Sequence, residues 1–254
     1  MNYLIVGASS GLGRDLAYEF AKNSNNLTLI SRDKKDLEYL KSDIEIKYKV
    51  QVDIFELDFS YQKNITSFIS EKKDIIKNFD GVLFPIGMML DDDTIKNTDE
   101  NLNKLISANF YCVANFISKV LNVFEEKNKG VIVGFGSISS AVGRHVNTGY
   151  ASAKKALETY FESLIITNSN NNLKIQFYTL GYLDTNLSSD KKLLLPKGST
   201  KKLSKIVYKN LNLKGVKKFF PFWWLFVNYI IKILPFFITK KIIRGINWKT
   251  TIKN

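Results

Sequence analysis

The stretch Tyr3-Leu4-Ile5-Val6-Gly7-Ala8-Ser9-Ser10-Gly11-Leu12-Gly13 joins an apolar run to a glycine-rich turn. The run predicts a buried strand, and the pattern that begins near Leu12 predicts a helix after the turn. Glycine permits positive φ and lets backbone approach a ligand closely. A helix N-terminus behind such a turn can bind a pyrophosphate. We expect the phosphates to contact Gly7, Ser9, Ser10, Gly11, Leu12 and Gly13.

Strand-like runs alternate with helical patterns along most of the 254 residues. This alternation is typical of a parallel sheet with helices on both faces. The predicted strands are Asn2–Val6, Leu27–Ser31, Val50–Leu57, Gly81–Phe84, Gly130–Phe135, Leu173–Leu180 and Lys217–Phe220. The predicted helices are Leu12–Asn23, Lys34–Ser42, Gln62–Lys77, Glu100–Glu126, Tyr150–Asn168 and Thr200–Leu211. The class is therefore α/β: a single doubly wound Rossmann domain (residues 1–215) with an apolar, basic, helical C-terminal appendage (residues 216–254).

A second motif, Ser137 followed by Tyr150-Ala-Ser-Ala-Lys154, indicates proton transfer. Residues i and i+4 share one face of a helix, so the ammonium of Lys154 is expected near the phenol of Tyr150. Such a charge would lower the tyrosine pKa from about 10 toward neutral pH, as a general acid or base requires. Ser137 would donate a hydrogen bond to a substrate carbonyl, with Ser139 and Ser140 as competitors for that role.

Composition narrows the classes of function. One cysteine, Cys112, and one histidine, His145, provide no Cys/His cluster for a metal and no intrachain disulfide. With an N-terminus that enters a strand directly, this composition favours a cytoplasmic protein. The net charge of +13 comes from residues 201–254, which hold 13 Lys/Arg and no Asp/Glu. The apolar content of the same region argues against nucleic acid as its partner.

With both motifs in place, roughly the first 200 residues resemble the classical short-chain dehydrogenase/reductase family. The resemblance implies an NAD(P)-dependent oxidoreductase in which Tyr150 is the acid/base. It also implies that Lys154 binds the nicotinamide ribose and that Ser137 orients the carbonyl. Further family positions match Asn109, which would hold a proton-relay water, Asp58 near the adenine, and Thr185 near the carboxamide of the cofactor.

The chain departs from the family pattern in three places. Val6 replaces the usual threonine, Phe84-Pro85-Ile86-Gly87 replaces Asn-Asn-Ala-Gly, and Leu180-Gly181 replaces Pro-Gly. Because the reacting groups are kept, these departures indicate altered cofactor-pocket walls. We therefore expect Phe84, Gly87 and Gly181 to line the cofactor site.

The end of the second predicted strand bears on the choice of cofactor. Ser31 stands where NAD-binding folds often place a carboxylate for the ribose 2′-hydroxyl, and Arg32 could clamp a 2′-phosphate. Asp33 is a carboxylate at the next position, and Arg32 could also be a solvated surface charge. NADP(H) is favoured modestly, and NAD(H) stays open.

Residues 216–247 combine aromatic, aliphatic and basic side chains, including Trp223 and Trp224. Pro235, with Asn228 and Lys232, argues against a single membrane span and favours two short helices at the membrane surface. An acid-free, lysine-rich surround suits an anionic membrane, although an interface between subunits of a homo-oligomer is the main alternative. We therefore expect the protein to lie peripherally on the inner face of the membrane.

A narrower resemblance rests on the loop Ala141-Val142-Gly143-Arg144 and the Phe-Pro-x-x-Trp and Leu-Pro motifs of the tail. These resemble the short-chain reductases of decaprenylphosphoryl-arabinose synthesis and their relatives in surface-glycan clusters. The resemblance implies reduction of a lipid-linked keto-sugar in cell-envelope polysaccharide biosynthesis. Two alternatives stay open: a reductase of a hydrophobic lipid or acyl carbonyl, and a catalytically silent cofactor-sensing protein.

Overall fold

A computed structural model describes residues 1–169, 171–184 and 196–245. Its strands are β1 (Asn2–Val6), β2 (Asn26–Ser31), β3 (Val52–Glu56), β4 (Gly81–Phe84), β5 (Gly130–Ser137), β6 (Leu173–Leu180) and β7 (Val216–Phe220). Within the described residues, these seven strands form one parallel sheet in the order β3-β2-β1-β4-β5-β6-β7. The strand order reverses between β1 and β4, which is where such sheets bind ligands.

The helices cover both faces of the sheet. They are α1 (Gly11–Lys22), α2 (Lys34–Tyr48), α3 (Gln62–Glu71), α4 (Lys73–Lys77), α5 (Asp99–Ile106), α6 (Cys112–Glu126), α7 (Thr148–Thr167), α8 (Thr200–Asn210), α9 (Trp224–Ile233) and α10 (Phe236–Gly245). A π-helical turn, Ser107–Tyr111, joins α5 to α6, and a 3₁₀ turn, Ile138–Ala141, follows β5.

Two apolar cores lie on opposite faces of the sheet. One packs α1, α2 and α8 against the strands, and the other packs α3, α4, α6 and α7. In the second core the ring of Phe116 lies 5.8 Å from that of Phe84, and both side chains are fully buried. The side chain of Phe84 is thus a core group, so only the backbone of this residue could make the predicted cofactor contact.

The predicted fold class is confirmed, with corrections at particular elements. The helix predicted to end at Ser42 continues to Tyr48 and ends where Lys49 adopts a left-handed conformation. The helix predicted over Glu100–Glu126 is interrupted by the π-helical turn. The strand predicted near Lys217 pairs with β6 along its whole length, so residues 216–220 are part of the sheet rather than of the appendage.

The appendage after β7 contains two short helices, α9 and α10, separated at Leu234-Pro235 as the sequence predicts. Helix α9 contacts the 3₁₀ turn that follows β5. Its Trp224 is buried against Gly181 and packs 5.7 Å, ring to ring, from Tyr182. In the described part of the chain, no helix combines the length and the apolar character needed to cross a bilayer.

Candidate active site

The glycine-rich turn brings helix α1 very close to strand β1. Gly7 has φ of +88° and Gly11 has φ of +50°, values that side chains disfavour. A Cβ at Gly13 would lie 2.0 Å from the carbonyl oxygen of Gly7, so only glycine fits there. Ser10 precedes α1 without capping it through its side chain. The first N–H groups of α1 therefore suit the oxygens of a phosphate.

Side chains hold this turn against the end of β2. The hydroxyl of Ser31 donates to the hydroxyl of Ser9 over 2.7 Å, and Nε of Arg14 donates to the carbonyl of Ser9 over 2.9 Å. Leu12 is buried in the core, so only its backbone can contact a phosphate. Sequence reasoning missed Arg14, although a basic residue one position after the last glycine was a visible signal.

Two residues predicted to contact the cofactor meet in one pocket. Arg32 and Asp58 both line a cavity of about 590 Å³ at the carboxyl ends of β2 and β3. Asp33, by contrast, caps helix α2, because its carboxylate accepts from the N–H of Asp36 over 3.0 Å. A carboxylate used as a helix cap is a weak candidate for binding the ribose 2′-hydroxyl. Arg32 is therefore the better candidate for setting the choice between NADP(H) and NAD(H).

Ser137 and Tyr150 come together at the carboxyl end of β5. The hydroxyl of Ser137 acts on the phenol of Tyr150, whereas the hydroxyl of Ser140 donates to the backbone carbonyl of Ser137 over 2.7 Å. Ser137 is therefore the better placed of these two serines for the reacting carbonyl. Burial raises the pKa of Tyr150, and the hydrogen bond with Ser137 and the charge of Arg144 lower it by less.

Lys154 lies one turn after Tyr150 on α7, and its position corrects a prediction. Its ammonium donates to the backbone carbonyls of Ile86 and Phe135, each over 3.0 Å. Burial lowers the pKa of Lys154 from about 10.5 to about 7. The predicted lowering of the Tyr150 pKa is not seen, because burial of the phenol outweighs the charges near it.

Asn109 lies within the π-helical turn and is completely buried. Its side chain accepts from the N–H of Met88 over 2.9 Å and donates to the carbonyls of Met88 and Leu105 over 2.8 and 2.9 Å. With these bonds, the side chain fixes the loop after β4. The proton relay through Asn109 stays a prediction, since these bonds describe only its side chain.

Asp93 is a functional residue that sequence reasoning missed. This carboxylate is 1% exposed and accepts four hydrogen bonds: from Asn97, from the hydroxyl of Thr148, and from the N–H groups of Gly149 and Tyr150. It therefore caps the helix that carries the reacting tyrosine. In the sequence, the only signal for this residue is the run Asp91-Asp92-Asp93, and such a run of acidic residues is more often part of a solvated loop.

The remaining residues predicted to contact the cofactor have different surroundings. Gly87 is exposed in the loop after β4, where a Cβ would meet only Oδ1 of Asn109, at 3.9 Å. At Gly181 a Cβ would lie 1.9 Å from Nε1 of Trp224, so this glycine serves the packing of α9. Thr185 lies outside the described residues. Among those residues, no group of three or more His, Cys, Asp or Glu side chains is arranged to hold a metal.

A glycine turn for phosphates beside a Ser/Tyr/Lys site defines a nicotinamide-nucleotide oxidoreductase. The family model for short chain dehydrogenases matches residues 2–193. The chain therefore belongs to the short-chain dehydrogenase family, whose members interconvert hydroxyl and carbonyl groups.

Individual relatives agree with this assignment. The chain is 30% identical to an NADP-dependent 3-hydroxy acid dehydrogenase from Schizosaccharomyces pombe, over 73% of this chain and 72% of the relative. It is 26% identical to the very-long-chain 3-oxoacyl-CoA reductase of Homo sapiens, over 97% and 80%. A short-chain dehydrogenase from Sphingobium yanoikuyae in complex with NADPH superposes with a TM-score of 0.79 at 18% identity, covering 98% and 97%.

The depressed pKa of Lys154, about 7, predicts a pH-dependent stability. The unfolded chain keeps this lysine protonated up to about pH 10, so between about pH 7 and 10 the native state binds fewer protons. In this window the free energy of unfolding should rise with pH in the wild type relative to Lys154→Met, a variant without the titrating group. Denaturant unfolding of both proteins at several pH values measures the difference. A difference that is flat or falls with pH contradicts the burial argument.

Replacing Asp93 tests its control of α7. We expect Asp93→Ala to lose about 2 kcal/mol of unfolding free energy, because it leaves the cap of α7 and buried donors unpaired. Turnover should fall further than the folded fraction does, since Tyr150 loses its backbone anchor. Asp91→Ala, an exposed neighbour, is the matched control. Equal behaviour of the two variants in denaturant unfolding and in turnover would rule out the positioning role.

Proposed function

We propose that this protein is an NADP(H)-dependent reductase of a keto-sugar carried on a lipid, acting in cell-envelope polysaccharide biosynthesis at the inner face of the membrane. The observation that carries the proposal is the position of α9. This apolar helix of the basic appendage contacts the turn directly after Ser137, so the reacting site adjoins the appendage. A sugar on a lipid phosphate offers matching parts: a polar reacting end, an anion and a hydrocarbon chain.

The chemistry follows from three side chains of this chain. A bound nicotinamide nucleotide supplies the hydride. Tyr150, whose raised pKa keeps the phenol protonated, donates a proton to the carbonyl oxygen as the hydride is accepted at carbon. Ser137 donates a hydrogen bond to the same oxygen, and Lys154, one helical turn after Tyr150, would hold the ribose of the nicotinamide.

Several features support NADP(H). Arg32 lines the cavity beside Asp58, Ser31 occupies the position of a carboxylate, and Asp33 is used as a helix cap. The S. pombe relative is named as NADP-dependent, and the S. yanoikuyae structure contains NADPH. Arg32 would hold the 2′-phosphate as a charge-assisted pair.

Polar groups near the reacting tyrosine favour a sugar. The charge of Arg144 acts on Tyr150, and Ser139 and Ser140 lie in the turn after Ser137. Hydroxyl groups of a sugar can form hydrogen bonds with hydroxyl and guanidinium side chains of this kind, whereas an acyl chain cannot. The sequence resemblance to reductases of decaprenylphosphoryl-linked sugars agrees with this choice.

A second candidate is the reduction of a 3-oxoacyl thioester or a similar lipid carbonyl. The names of the S. pombe and human relatives favour it, and the apolar flank of the site suits an acyl chain equally well. Both candidates use the same proton donor. They differ in the group beside the carbonyl, which a substrate panel distinguishes. A silent cofactor-sensing protein is less favoured, because the Ser137–Tyr150 pair is assembled.

Tyr150→Phe should lower turnover by about 10²–10⁴-fold, because it removes the proton donor, while NADPH binding stays unchanged. Turnover is measured as NADPH oxidation with a polyprenyl-phosphate-linked 2-keto-pentose and with a 3-oxoacyl thioester. Tyr160→Phe, on the same helix but with its hydroxyl bonded to Ala114, is the control. Retained turnover in Tyr150→Phe would refute the mechanism. Preference for the thioester would favour the second candidate, and inactivity of the wild type on a broad carbonyl panel would favour the silent one.

Arg32→Ala should raise the KM for NADPH by about tenfold or more while leaving that for NADH nearly unchanged, because only NADPH carries the 2′-phosphate. Initial rates with each nucleotide at saturating substrate give the two constants. Lys35→Ala, an exposed charge three residues away, controls for the general loss of positive charge. An equal effect on both nucleotides would remove Arg32 from the cofactor site.

A further inference from the structure

A second cavity lies apart from the catalytic residues, beside the outer strand β7. This lysine-aromatic groove has a volume of about 390 Å³ and lies between the start of α8, β7 and the start of α9. Its principal lining residues are Lys197, Lys202, Lys218, Phe219, Phe222 and Trp223. Among the described residues that line it, lysine is the only charged type.

Neighbouring lysines of β7 have different surroundings, because successive side chains of a strand point to opposite faces. Lys217 is neutralised on the α7 side: it lies 2.9 Å from the carboxylate of Glu158 and also pairs with Glu162. Lys218 faces the groove with Lys202. Within the part of the chain that the structure describes, neither of these two lysines is paired with a carboxylate. An anion in the groove would balance their charges.

An exposed apolar stripe continues from the groove. Phe222 lines the groove and is 68% exposed. Phe226 and Ile230 follow at intervals of four residues on α9, with 60% and 59% exposure, and so share its outer face. Phe236 and Phe237 extend the apolar surface onto α10. An anion site beside hydrocarbon-facing aromatic groups is complementary to an amphiphile.

We propose that the lysine-aromatic groove binds the phosphate of an anionic phospholipid while the α9–α10 face enters the bilayer. This rests on the membrane association in the proposed function and deepens it by naming a headgroup site. Lysine ammonium groups bind phosphate as point charges, and aromatic rings lie well at headgroup depth. Because α9 contacts the turn after Ser137, the bound lipid sets the orientation of the reacting site toward the membrane surface.

The test compares two double variants of equal charge in the full-length protein. Lys202→Ala/Lys218→Ala removes two lysines that line the groove. Lys201→Ala/Lys205→Ala removes two exposed lysines of α8 that do not line it. Co-sedimentation uses vesicles of phosphatidylcholine alone or mixed with phosphatidylglycerol, with and without inorganic phosphate. Circular dichroism and NADPH binding establish that each variant is folded.

We expect the groove variant to bind the anionic vesicles about tenfold more weakly than the wild type, and the control variant less than about threefold more weakly. Equal losses would overturn the groove while leaving membrane association intact. Wild-type protein that binds neither vesicle would overturn both. Groove-dependent binding of inorganic phosphate without vesicle binding would identify a free-phosphate site instead. A dimer that dissociates in Phe226→Ser/Ile230→Ser would show that a second copy covers this face.

Discussion

Parallel pairing is the constraint on which the rest of this structure depends. Since all paired strands run the same way, their carboxyl ends meet at one edge, and the loops that leave them share one crevice. Four site residues follow different strands (Gly7, Arg32, Asp58 and Gly87), and Ser137 is the last residue of β5, so all five lie along this edge. The near contact between α1 and β1, possible only with glycine at position 13, adds the phosphate site to that edge.

The sequence predicted what depends on local pattern and short spacing. The bounds of β1, β4 and β6 match their apolar runs, and Tyr150 with Lys154 shares a helix because four residues make about one turn. It could not predict contacts that the tertiary fold creates. Asp93 caps a helix that begins 55 residues later. The lower pKa of Lys154 comes from burial beside the carbonyls of Ile86, in the loop after β4, and of Phe135 in β5. Neither leaves a periodic signal.

The catalytic crevice and the C-terminal side differ in how their polar and charged groups are paired. In the crevice, buried polar groups have specific hydrogen-bond partners, as Asn109 has in Met88. Such bonds hold the site residues in one geometry. On the C-terminal side, lysines and aromatic rings face solvent with few partners of opposite charge, which suits a broad, anionic contact. Lys217 lies between the two regions, because its ion pair with Glu158 links the outer strand β7 to α7, the helix of Tyr150.

The contact of Trp224 with Gly181 restricts how this lineage can change. A single added methyl at position 181 would overlap the indole, so any larger residue there requires a smaller one at 224. The two positions lie in segments with separate tasks, the loop that leaves β6 and the start of α9. An appendage that carries a tryptophan at position 224 would therefore fit only a chain with glycine at position 181.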